Sequence, residues 1–353
     1  MIGAFSFAGS PARIVFGDGS RSKVGEWIVT AGCKRALVLA TPHQKADAEA
    51  LATEIGSLAC GTFAGATMHT PVDVTEAAMK MVAETEADCV VSLGGGSTTG
   101  LGKAIAYRTD LLQIVVPTTY AGSEVTPILG QTEGGRKTTV RDARILPEIV
   151  LYDPALTLGL PVSMSVTSGL NAMAHAVEGL YARDRNPIST LMALEGLRAF
   201  SRSLPKIVTA PDDADARNEA LYGAWLCGTV LGTVGMALHH KICHTLGGSF
   251  DTPHAETHAV MLPHTAAFNA RAAAAELAPA ANLFGGSIGG GLWDFAKSIG
   301  APLTLKEFGL TEADLDGAAS IAVENPYWNP RPIDRDSIRA LLQEAWDGRR
   351  PAD

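Results

Sequence analysis

The chain has 353 residues, 46% hydrophobic and 18% charged, which suits two domains with sizeable cores and excludes extended disorder. Its formal net charge is −9 with no basic block, which excludes nucleic acid as a partner because phosphate backbones need clustered Lys and Arg. The five cysteines, Cys33, Cys60, Cys89, Cys227 and Cys243, are scattered and never spaced C-x-x-C, which argues against a disulfide framework or zinc ribbon and fits a reducing cytoplasm.

In chain order, Met1 to Ser10 has no charged region followed by a long apolar run, so no signal peptide is expected. Ala36 to Ala40 reads as a strand and Lys45 to Ile55 as a helix. Cys89 to Leu93 is a second strand, followed by Gly94 to Ser97 and a helix through Ala106. Ile114 to Val116 is a third strand, ending at Pro117, and Ile149 to Tyr152 a fourth. This alternation predicts a parallel sheet wrapped by helices, a Rossmann-like α/β domain over residues 1–157.

From Ser163 the texture changes to long Ala-, Leu- and Met-rich segments, which predicts an all-α domain over residues 158–353. Helices are expected at Asn171 to Tyr181, Thr190 to Phe200, Arg217 to Val230 and Arg271 to Ala278. The run from Leu221 to His240 lacks charge and proline and reads as a buried core helix rather than a membrane span. The glycines at 285, 286, 289, 290 and 291 read as a loop. Asn325 to Pro332, with three prolines, reads as extended, followed by a last helix through Ala345.

Gly94-Gly95-Gly96-Ser97 follows an apolar strand and opens a helix. Glycines there let a phosphate approach the backbone, and the helix N-terminus supplies N–H donors. Thr98 belongs to the same turn. The next strand leads into Pro117-Thr118-Thr119-Tyr120-Ala121-Gly122-Ser123-Glu124, so both segments reach the same sheet edge, where ligands of open α/β sheets sit. The hydroxyls of Thr118, Thr119 and Ser123 are candidate ribose or phosphate contacts. The first strand runs into Thr41 rather than an acidic residue, so a preference for NADH over NADPH is not written there.

Four of the nine histidines form a pattern. His240 and His244 share a helix face, four residues apart. His254 follows a short glycine-containing loop, Gly247 to Pro253. His175 lies on another helix with Asn171 four residues before it. Such a grouping suits a metal or a proton-transfer site. His239, His258 and His264 read as structural or supporting.

The succession G-G-G-S, P-T-T-x-A-G-S-E, H-A-V-E, H-x-x-x-H and T-P-H resembles the iron-containing alcohol dehydrogenases over essentially the whole chain. The resemblance implies a dinucleotide-binding α/β domain, a helical domain and a homodimer, with an N-terminal strand near Phe5 to Phe16 as its seam. It places the family's metal ligands at Asn171, His175, His240 and His254, and a histidine near the nicotinamide at His244. Two departures stand out. Asn171 replaces an acidic ligand, and a neutral amide is a poor ligand for Fe²⁺ or Zn²⁺; Gly100 replaces the Asp of G-G-G-S-x-x-D. Both resemble the maleylacetate reductase branch of that family, as do Arg141-Asp142, His239 to His244 and Asn325 to Pro332.

That branch implies NADH- or NADPH-dependent reduction of maleylacetate to 3-oxoadipate, a late step of aromatic-ring degradation, by conjugate hydride addition and without a metal. The implied roles are proton donation by His240 or His244, a polar wall of His175 and His254, and oxyanion support from Lys241. Arg141, Tyr120 and Asn171 are the expected contacts to the dianionic substrate, with Arg331 as a further candidate. The competing expectations are a metal-dependent alcohol, diol or glycerol dehydrogenase of the same family and, less favoured, a lyase related to dehydroquinate synthase.

Overall fold

The computed structural model describes residues 5–7, 9–10, 12–134, 136–325 and 327–353, with backbone alone at residues 136 and 137. The chain forms two compact units, one of Gly9–Leu160 and one containing Pro161–Asp353.

The first unit is built on a six-stranded, wholly parallel sheet. Its strands are β1 (Arg13–Phe16), β2 (Ala36–Leu39), β3 (Ala59–Phe63), β4 (Cys89–Gly94), β5 (Leu112–Pro117) and β8 (Ile149–Tyr152), in the order β1-β8-β5-β4-β2-β3. The central strands are continuous apolar runs because both faces are covered: Val38, Val91, Ile114 and Leu151 pack on one side, Leu37, Leu39 and Val90 on the other. Each such buried side chain contributes about 1.5–3 kcal/mol of transfer free energy. Helices α1 (Val24–Thr30), α2 (Lys45–Ile55), α3 (Val72–Thr85) and α4 (Gly96–Thr109) connect the strands. From β2 the chain goes to β3 on one side and β4 returns on the other. The ends of β2 and β4 therefore flank the sheet's switch point, the place where open α/β sheets bind ligands.

Four strands of this unit carried no legible pattern. β1 and β3 are edge strands with half-exposed residues, and β6 (Ile128–Glu133) with β7 (Arg136–Arg141) forms an antiparallel hairpin of mostly polar sequence. Among the described residues of the N-terminal strand that the resemblance implied near Phe5 to Phe16, Arg13–Phe16 is strand, paired with β8, while Phe5 and Phe7 are exposed. Ala8 and Pro11 of that segment, and Pro326 of the proline-rich tail, lie outside the described residues.

The second unit is helical: α5 (Val162–Leu180), α6 (Pro187–Thr209), α7 (Ala214–Thr233), α8 (Leu238–Ser249), α9 (His254–Ala270), α10 (Ala274–Leu283), α11 (Ile288–Ser298), α12 (Asp314–Val323) and α13 (Arg335–Asp347). α5 is buried along nearly its whole length and packs on α6, α7 and α9. A second apolar cluster, including Leu238, Leu246, Met261, Leu315, Ile338 and Leu342, joins α8, α9, α12 and α13. Asn186 and Asp334 start α6 and α13 with capping boxes.

Several expectations need correction. The run Leu221 to His240 is two helices, α7 and α8, bent by 96°. The break is held open by Asp184, whose carboxylate takes the Gly235 N–H at 2.9 Å. Among the described residues no single helix is long and apolar enough to cross a membrane. The helix expected from Arg271 begins at Ala274, because the chain turns after α9. Gly247 and Gly248 lie in α8, so the segment before His254 is only Phe250 to Pro253, and His254 opens α9 rather than lying in a loop. Of the glycine cluster only Gly285 and Gly286 are loop. Gly289, Gly290 and Gly291 form the first turn of α11, where a Cβ at Gly291 would meet the Phe284 carbonyl oxygen.

Candidate active site

The glycine loop sits where β4 becomes α4. Gly94 has φ 153°, a backbone that favours glycine, and a Cβ at Gly95 would lie 2.8 Å from Thr119 Cγ2. Gly95 is the N-cap of α4 and offers no side chain to its first N–H groups. An uncapped helix start at a sheet switch point is an anion cradle. Thr98 Oγ1 is buried there without a hydrogen-bond partner.

The loops after β2, β4 and β5 are tied together at this edge. Thr118 N–H donates to the Gly94 carbonyl at 3.1 Å, and Gln44 Nε2 donates to Thr118 Oγ1 at 3.1 Å. Thr41 Oγ1 lies 3.4 Å from Gln44 Oε1. Thus Thr41, Gly94, Gly95, Gly96, Ser97, Thr98, Thr118 and Thr119 are gathered on one edge. Ser123 belongs to the following turn, where Lys103 engages both its carbonyl and its hydroxyl. Tyr120 is fully buried, so its ring lies inside the protein. Arg141 is exposed at the end of β7. Its neighbour Asp142 instead pairs with Arg144 at 2.8 Å, which lowers the Asp142 pKa to about 2.

In the second unit, α5, α8 and α9 build a nest of imidazoles. Ring centroids are 5.2 Å apart for His175 and His240, 5.1 Å for His240 and His258, and 4.5 Å for His254 and His258. His244, one turn after His240 on α8, has its ring 6.0 Å away and is exposed. Burial holds His175, His239 and His258 well below the ordinary histidine pKa, and the neighbouring histidines add to the effect. His264 is also buried, at a pKa of about 4.

The sequence reading missed the residue that organises this nest. Glu178, 1% exposed, accepts from His240 Nδ1 at 2.5 Å and from the backbone N–H of His239 at 2.7 Å. It thereby supplies α8 with N-terminal acceptors and fixes the His240 ring. With Nδ1 so engaged, His240 Nε2 is the remaining nitrogen, and it has no hydrogen-bond partner. A signal existed: Asn171, His175 and Glu178 fall at i, i+4 and i+7, a polar stripe on an otherwise apolar helix.

His239 and His258 lie deeper. His239 Nδ1 is 2.9 Å from Thr265 Oγ1, and its Nε2 is 2.9 Å from His258 Nδ1. Among the described residues, His239, Cys243 and His258 bring their ligand atoms within 4.8 Å of one another, whereas His175, His240 and His254 do not form such a group. The His239 and His258 nitrogens already bond to each other.

Lys241 is half-buried, its ammonium 6.0 Å from the centre of the Tyr327 ring, and Tyr327 Oη is buried without a partner. Asn329 exchanges hydrogen bonds with Asn269 at 3.0 and 2.7 Å, which anchors the proline-rich tail. Arg331 lies over the Phe268 ring at 3.9 Å and lines a 510 Å³ surface cavity with Arg271 and Asp353. No histidine lines that cavity.

Residues 11–154 match the iron-containing alcohol dehydrogenases, and residues 165–346 match the C-terminal part of the same family. The chain belongs to the iron-containing alcohol dehydrogenase family. It is 64% identical to a maleylacetate reductase of Rhizobium sp. (strain MTP-10005), covering 98% of this chain and 99% of that one. It is 52% identical to a maleylacetate reductase of Burkholderia cepacia, over 99% of both. A crystal structure of maleylacetate reductase from Agrobacterium tumefaciens superimposes with a TM-score of 0.97 at 63% identity, over 99% of this chain and 100% of that one.

At the position of the family's metal the chain presents Asn171, a neutral amide whose Oδ1 is buried without a hydrogen-bond partner, as are His175 Nδ1 and His240 Nε2; an amide in place of a carboxylate is a poorer ligand for Fe²⁺.

Proposed function

We propose that the chain is an NADH- or NADPH-dependent maleylacetate reductase that works without a resident metal. The observation that carries the reading is the full-length identity of 64% with the Rhizobium maleylacetate reductase. The geometry gives it a mechanism.

The dinucleotide's diphosphate fits the uncapped start of α4, cradled by Gly94, Gly95, Gly96, Ser97 and Thr98, with Thr41, Thr118, Thr119 and Ser123 as its hydroxyl partners. When bound, the reduced nicotinamide supplies a hydride. Every other task falls to the chain's own residues.

Maleylacetate is a dianion whose carbon–carbon double bond is conjugated to a ketone. Adding a hydride to the carbon β to that ketone leaves an enolate, which is less basic than an alkoxide and needs less electrophilic help. Reduction is completed by one proton on the α carbon. His240 is the proton donor: Glu178 holds Nδ1, so Nε2 carries the mobile proton into the nest. His244, exposed one turn later, links His240 to solvent. His175 and His254 form the polar wall and Asn171 offers its amide, while Lys241 stabilises the oxyanion or a carboxylate. Arg141 is assigned to the substrate's other carboxylate. The free cysteines fit a cytoplasmic enzyme, and the homodimer rests on the family resemblance alone.

The deciding assay is NADH and NADPH oxidation with maleylacetate before and after exhaustive chelation, beside a panel of alcohols, diols and glycerol. Maleylacetate turnover that survives chelation is expected. Activity confined to alcohols, lost on chelation and restored by Fe²⁺ or Zn²⁺, would sink the reading.

A further inference from the structure

Lys103 lies two turns into α4, fully buried. Its ammonium donates to the Ser123 carbonyl at 2.5 Å, to Thr126 Oγ1 at 2.9 Å and to the Ile128 carbonyl at 2.9 Å, with Ser123 Oγ at 3.2 Å. All of these acceptors belong to the chain that leaves β5 and leads into β6. The same stretch is fixed at its other end by Thr118 N–H on the Gly94 carbonyl.

A buried ammonium is costly unless every N–H is used. Here the three protons meet the Ser123 and Ile128 carbonyls and the Thr126 hydroxyl; the Ser123 carbonyl also accepts from the N–H and the hydroxyl of Thr126, so Lys103 closes a network that links residues 123, 126 and 128. Burial pulls the Lys103 pKa down to about 7, and the buried Glu124 carboxylate opposes that shift. Glu124 is itself bonded by the Tyr152 hydroxyl at 2.8 Å. An apolar side chain would fill the volume but would cut the link from α4 to Ser123, Thr126 and Ile128.

We infer that Lys103 is a positioning residue for the dinucleotide, tying residues 117–128 to α4 so that the hydroxyls of Thr118, Thr119 and Ser123 stand beside the glycine loop. The inference rests on the dinucleotide-binding reading given above. Lys103 touches neither substrate nor cofactor in this role. It acts through the loop it holds.

The test is equilibrium binding of NADH to the purified full chain, read by protein fluorescence, for wild type, Lys103→Met and Thr126→Val. Lys103→Met is expected to weaken NADH binding by about tenfold or more, the scale of a hydrogen bond to a charged group. Thr126→Val, which removes one acceptor, is expected to weaken it less. In turnover, KM for NADH should rise more than kcat falls, a split that loss of core stability alone would not produce. A folded Lys103→Met protein with wild-type affinity would overturn the inference. If that variant does not fold, Thr126→Val decides, and unchanged affinity in it would also overturn the inference. A wild-type chain that binds neither NADH nor NADPH would instead remove the dinucleotide reading, and the inference with it.

Discussion

Replacing Glu178 by Gln isolates what the buried carboxylate does for His240. The side chain keeps its size, so packing between α5 and α8 is preserved. What changes is the acceptor: of the two carboxylate oxygens, one 2.5 Å from His240 Nδ1 and the other 2.7 Å from the His239 N, Gln keeps one as an uncharged amide oxygen and turns the other into an NH2 donor. A hydrogen bond to a charged group contributes about 1.5–3 kcal/mol. For the proposed proton donation by His240, losing it amounts to a fall of about 10- to 150-fold in kcat. Stability should fall as well, because either His240 Nδ1–H or the N–H at the start of α8 loses its acceptor. The assay is steady-state NADH oxidation with saturating maleylacetate, beside thermal unfolding. A folded Glu178→Gln enzyme with kcat within about twofold of wild type would refute the assignment of Glu178 as the residue that arms His240.

Other consequences follow from the same geometry. His175, His239 and His258 have depressed pKa values in the folded chain, so below about pH 6.5 the unfolded state binds more protons. Stability should be intact above that pH and fall below it; urea midpoints flat from pH 7.5 to 5.5 would contradict this. Gly95→Ala places a Cβ 2.8 Å from Thr119 Cγ2, and should raise KM for NADH by about tenfold or more; an unaltered KM would show that the loop relaxes or does not hold the cofactor. Asn186→Ala removes a capping box and should lower stability by about 1 kcal/mol in chemical denaturation with little effect on kcat; no change would show that the α6 terminus is held by other contacts.

Much of the first unit was legible because its central strands are buried on both faces. Continuous apolar runs such as Cys89 to Leu93 cannot be solvent-exposed, and the glycine loop follows one of them directly. α2 likewise reads from its own residues, since Pro42 and the glycine at 56 mark its surroundings. The edge strands β1 and β3 and the polar hairpin β6–β7 did not stand out. Pairing with neighbours, not their own pattern, makes them strands. The glycines at 289, 290 and 291 were misread for a related reason: low helix propensity is overridden by close packing against Phe284 and by the Asp353 carboxylate, which takes the N–H groups of Ile288 and Gly289.

The sequence by itself determined that α/β and helical regions follow one another, that a glycine turn opening a helix lies after Leu93, and that histidines recur at helical spacing on what became α8. Those properties depend on residues near in the chain. Only the tertiary structure decided which nitrogen each histidine leaves uncommitted. Glu178 reaches His240 across 62 residues, and Thr265 and His258 reach His239 across 26 and 19 residues. Tautomer, burial and proton affinity are set by partners that the fold brings from distant segments, and no local pattern encodes them.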